Sequence, residues 1–126
     1  MESEIISDVA LLANVRRLAK LIGAGGLSAP VRNDLAWYGL MVRGREADLN
    51  MIFSANNSNG RTEIIGHKRD RDDLMDDDRR KEAAWIGLRM AIEAAEKSES
   101  VESAIVVAPR IIAATESVEE ALGING

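Results

Sequence analysis

The chain has 126 residues, a net charge of −5, 46% hydrophobic residues and only 3% aromatic ones. That is enough apolar content for the core of a single domain and too much for a disordered chain. The acidity argues against phosphate-backbone and anionic-membrane partners, and Trp37, Tyr38, Phe53 and Trp85 offer few platforms for stacking single-stranded bases.

The absence of cysteine removes disulfides, thiolate nucleophiles and cysteine-ligated metals. The opening MESEIISDVALLANVRRL lacks the basic start and unbroken apolar run of a signal peptide. No apolar run reaches the roughly 18 residues that span a bilayer. The expected location is the cytoplasm.

Residues 4–22 are expected to form a helix. Ile5, Val9, Leu12, Val15, Ala19 and Ile22 recur at steps of three and four, with Leu11 and Leu18 widening the stripe. Acids lie near its start, Arg16, Arg17 and Lys20 near its end, and Gly23 is a stop. The following GAGGLSAP, 23–30, is expected to be a loop. Its glycines follow a helix, which is the wrong context for a phosphate-cradling loop.

Three strands are then predicted: LAWYGLMV (35–42), LNMIFSA (49–55) and RTEIIGHK (61–68). Asn59-Gly60 is the strongest hairpin signal, because both residues tolerate positive φ. A second helix is predicted over 79–97, with Ala84, Trp85, Leu88, Ala91, Ile92 and Ala95 as its stripe and Glu93 opposite Lys97. Gly87 is expected to permit close packing there. SAIVVAP (103–109) reads as a buried strand ended by Pro109. IIAA (111–114) fits either strand or helix, and a short last helix is expected over 116–122, stopped by Gly123. The predicted fold class is α+β: a three-stranded antiparallel meander plus a fourth strand, helices packed on one face, in the order α-β-β-β-α-β-α.

HKRDRDDLMDDDRR, residues 67–80, holds the only histidine and six aspartates. The acids lack the alternate spacing and mid-loop glycine of a calcium loop, and Arg69, Arg71, Arg79 and Arg80 compete with a cation. The expectation is a solvated connection in which Asp76, Asp77 and Asp78 cap the second helix. His67 has no Gly-x-Ser-x-Gly, HExxH or P-loop around it, so no catalytic residue, metal or cofactor is assigned.

Three families share part of this layout. Arg80-Lys81-Glu82-Ala83 resembles the start of the second helix in double-stranded RNA-binding domains, which implies a phosphate grip, although Ala84 stands where that family has lysine. Arg80-x-Glu82 followed by AIVVAP is similar to a ribonuclease H-like arrangement, but Ala108 and Pro109 replace the aspartate that two-metal chemistry needs. Leu11-Leu12, Leu18, Ile22-Gly23 and Gly26-Leu27 before the strands resemble class I type III secretion chaperones, which are small, acidic, cytoplasmic and dimeric. The second half is too short for that family's last strand and long helix.

The expected function is a non-enzymatic, homodimeric, protein-binding or adaptor domain of chaperone-like type. Its partner would be another protein, met through Trp37, Tyr38, Leu74 and Met75. The alternatives are a nucleic-acid-binding regulator using Arg79, Arg80 and Lys81, and a metal-dependent enzyme using the aspartate run with Glu82.

Overall fold

The computed structural model describes residues 6–58 and 68–124, with side chains over 6–49 and 77–124. Four helices account for it: α1 (Asp8–Gly25), α2 (Ala29–Ser58), α3 (Lys68–Glu96) and α4 (Val101–Leu122). Each packs on the next and α4 closes back onto α1. Arg45 of α2 meets Asp8 at the start of α1, Arg43 and Glu46 of α2 meet Glu93 and Arg89 of α3, and Arg16 of α1 meets Glu119 of α4. All three pairings run antiparallel, and the short Lys97–Ser100 link turns α3 into α4. The result is an up-down-up-down four-helix bundle.

The predicted α+β fold, with its meander, fourth strand and one-sided helix layer, is therefore overturned: no strand occurs among the described residues. Residues 35–42 and 49–55 lie inside α2, and 103–109 lies inside α4. In α2, Leu35 and Val42 are buried and Tyr38 is half-buried, at steps of three and four, the period of a helix. In α4, Ala104, Val107, Ala108, Ile111, Thr115 and Val118 follow the same period and are buried, while Val106 between them is 67% exposed. A strand would have sent Val106 and Ala108 to the same side. The Asn59-Gly60 hairpin and nearly all of the 61–68 strand lie outside the described residues. The three family layouts all require a sheet, so the likenesses to them do not extend to the fold.

Capping sets the helix ends. The Ser7 hydroxyl accepts from the Ala10 amide at 3.1 Å, so α1 starts at Asp8, four residues later than the Glu4 expected. Helix α1 runs on through Gly25 and leaves only Gly26–Ser28 as the connection, instead of 23–30. Gly26 has φ 86° and ψ −169°, a backbone region that is nearly glycine-only. Pro30 falls in the first turn of α2, where its missing N–H costs nothing. Ser100 and Ser103 form a reciprocal capping box at the head of α4. Pro109 is exposed within α4, so the backbone carbonyl it cannot serve is on the solvent side.

The core is aliphatic. Leu11, Leu12, Val15, Leu18 and Ile22 of α1 meet Trp85, Leu88 and Ile92 of α3 and Ile111 and Val118 of α4, all essentially without solvent exposure. Helix α2 contributes less: among its described side chains only Leu35 and Val42 are fully buried. It leans on α3 much more than on α1. Gly39 makes that possible, because a Cβ there would stand 3.3 Å from Ile92 Cγ2. The close-packing glycine is thus Gly39. Gly87, expected in that role, faces open space.

Two glycine substitutions should move stability in opposite directions. Gly26→Ala forces a side chain into the glycine-only region, 3.1 Å from Val101 Cγ1, and should cost about 1–3 kcal/mol. Gly87→Ala meets no atom within 4 Å in a helix interior and should gain about 0.5–1 kcal/mol. Urea midpoints of the two variants measure both, and a destabilised Gly87→Ala would contradict the open space at that position.

Candidate functional site

LAWYGLMV is apolar on every side of a helix. Burying Leu35 and Val42 therefore leaves other apolar residues outside. Successive residues turn by about 100°, so Tyr38 packs against the core while its neighbour Trp37 points outward. Trp37 is 56% exposed and Leu40, one turn on, is 59% exposed. Exposed Asn33, Gly44 and Ala47 continue the same outward line. Gly44 is bare and faces open space, with no atom within 4 Å of the place where a Cβ would be.

Beside this strip, toward α3, lies an open groove of about 210 Å³. Ala36, Gly39, Leu40 and Ile92 make its apolar lining and Arg43 and Glu93 its charged edge. An ionic lace ties the two helices there. Arg43 donates to Glu93 at 2.5 Å, Arg89 to Glu46 at 2.6 Å, and Arg89 also reaches Glu93 at 3.1 Å. The Arg43 hydrogen bond, then that from Arg89, holds the Glu93 carboxyl below its ordinary range, and the bonds to Glu46 and Glu93 raise Arg89. The sequence pairs Glu93 with Lys97, but the structure gives it to two arginines, one of them on another helix.

Residues 68–80 do not form a loop. Helix α3 begins at Lys68, and Asp77 lies inside it rather than at its cap. Acids and bases at i,i+3 and i,i+4 support a helix: Asp77 meets Lys81 at 3.0 Å and Arg80 at 3.9 Å. Arg80 and Lys81 thus share a carboxylate partner. Arg79 is exposed and also has a partner. His67 and the side chains of Leu74, Met75 and Asp70–Asp76 lie outside the described residues. Among the described residues no group of three or more acids or histidines could hold a metal ion, and no helix is long and apolar enough to cross a membrane.

The structure separates Trp37 from Tyr38 and joins Trp37 to Leu40. Leu40 is missed in the sequence because a strand reading places it by alternation. A helical wheel over 35–47 shows Trp37, Leu40 and Gly44 on one side. The fold and this face define a four-helix bundle whose second helix carries an apolar strip on its outer side. No protein-family model, no curated protein and no solved structure matches the chain.

Two measurements follow. Trp85 is 2% exposed, so acrylamide should quench one tryptophan and spare the other. Trp37→Phe should remove the quenchable emission, and an unchanged quenching curve would contradict the outward placement of Trp37. For pH, the folded-state pKa of Glu93 is depressed below the unfolded one. The lace therefore adds stability above the ordinary carboxylate range and loses it as pH falls through the folded value. Glu93→Gln should be less stable than the parent at neutral pH, with the gap closing as pH falls below the ordinary carboxylate range in urea titrations. A gap that stays constant with pH would mean that Glu93 acts through packing alone.

Proposed function

We propose that this chain acts by binding protein, as a small acidic non-catalytic bundle of adaptor or chaperone-like type, and that the outer face of α2 is its contact surface. The carrying observation is the adjacent exposure of Trp37 and Leu40 at 56% and 59% on successive turns. Large side chains of this kind anchor interfaces because they bury much area at little entropic cost, and tryptophan is prominent among such anchors. The apolar groove beside Leu40, rimmed by Arg43 and Glu93, suits an apolar face bordered by polar groups. The cysteine-free sequence fits work in the cytoplasm.

The arginines weaken the nucleic-acid reading. Arg16, Arg43, Arg45 and Arg89 pair with carboxylates on neighbouring helices, and Arg32 donates to the Glu96 carbonyl at the end of α3. A phosphate backbone would have to compete with those internal partners.

The test compares the parent with Trp37→Ala/Leu40→Ala on a native-extract resin. The parent should retain a defined protein, copies of the chain itself included, and the double variant should lose it with its helical circular dichroism intact. Equal retention by both would rule out this face as the contact.

A further inference from the structure

We infer that α2 is a strap on a three-helix body: charged side chains hold it in place, and it is released as a unit while α1, α3 and α4 stay folded. This goes beyond the proposed contact and does not depend on what meets the outer face of α2. The body has its own core. Among the described residues, every buried apolar side chain except Leu35 and Val42 belongs to α1, α3 or α4. Helix α4 packs on both α1 and α3, so those three remain joined without α2. The rest of the inner face of α2, Val31, Tyr38, Met41 and Leu49, is only partly buried.

Charged ties along α2 supplement that modest burial. Near its start, Arg32 donates to the Glu96 carbonyl at 2.6 Å. Further along, Arg43 donates to Glu93, and Glu46 accepts from Arg89. Arg45 donates to the Asp8 carboxylate at 2.6 Å and to the Ile6 carbonyl at 2.8 Å, where α1 starts. The side chains of the three ion pairs keep between 23% and 51% of their surface in water. Dissolved ions therefore screen them, while the apolar contacts inside the body are not screened. Salt should loosen α2 selectively. An element held this way opens separately, at a lower free energy than the whole fold. Most helical stability in a protein comes from packing, so the amides of a released α2 lose their protection together.

The experiment is native-state amide hydrogen exchange of the full chain at neutral pH, in low salt and in about 1 M sodium chloride. Amides of residues 33–49 should exchange together, through an opening with a smaller urea dependence than that of α1 and α4. High salt should speed their exchange about tenfold relative to α1 and α4. Arg43→Gln/Arg45→Gln should raise the same ratio in low salt and reduce its response to added salt. Arg16→Gln breaks the pair between α1 and α4, inside the body, and should not raise the ratio. Circular dichroism checks that each variant is folded, and if the double variant is not, the salt response of the parent decides alone. Exchange of all four helices at one rate, with one urea dependence, overturns the inference. An α2 ratio indifferent to salt, or raised as much by Arg16→Gln as by the double variant, overturns it too.

Discussion

Gly39 lying against Ile92 is the contact on which the arrangement of α2 depends. With hydrogen in place of a side chain, α2 comes close enough for Arg43 to reach Glu93 and for Glu46 to reach Arg89. A larger residue would push the helices apart along their whole length, because packed helices shift as rigid pieces. The lace matters here because only two of the described α2 side chains are fully buried. Each partly exposed ion pair contributes little alone. Glu93, shared by two arginines, and Arg89, bridging two acids, instead fix the rotation of α2. That rotation is what directs Trp37 and Leu40 away from the core.

The same accounting explains where the basic residues go. The chain is acidic, yet three of its arginines lie at helix seams and ends: Arg16 on Glu119, Arg45 on Asp8 and the Ile6 carbonyl, Arg32 on the Glu96 carbonyl. The Glu119 hydrogen bond raises the Arg16 pKa against the opposing effect of burial, as expected for a partly buried pair. Lacing of this kind keeps charge at the bundle edges and leaves the outward line of α2 without any.

Part of this was legible in the sequence. The α1 stripe from Leu11 to Ile22, the Trp85-Leu88-Ile92 stripe of α3 and the Gly123 stop stand where periodicity puts them, whereas Val9, expected in the same α1 stripe, is 56% exposed. The strands failed for a physical reason. LAWYGLMV and SAIVVAP are so uniformly apolar that neither a two-residue nor a 3.6-residue period stands out over eight positions. Branched Ile105, Val106 and Val107 then weigh toward a strand, and Pro109 looks like its end. Extending the window to Val118 would have exposed the helical repeat, and Ser100-x-x-Ser103 its cap. In 67–80, acids before a helix read as a cap, although the same residues pair equally well along one. On the outer face of α2, Trp37 is visible from its type, but its separation from Tyr38 and its union with Leu40 require the helix.

Helix α4 poses the useful contrast with α2. It too has an outward line, Val106, Pro109 and Ala113, and Val106 is more exposed than Trp37. Yet α4 buries six side chains and is held between α1 and α3, so its outer residues are the remainder of a helix whose folding requirement is already met. Val106 is small, and isolated exposed aliphatics of its size are ordinary. Helix α2 buries two described side chains fully and leaves a tryptophan and a leucine in water next to a bare glycine. A sequence selected only for folding could exchange those two for polar helix formers without disturbing Leu35, Gly39 or Val42. Their presence on the least embedded helix is why the outer face of α2, rather than that of α4, is the one proposed as the contact surface.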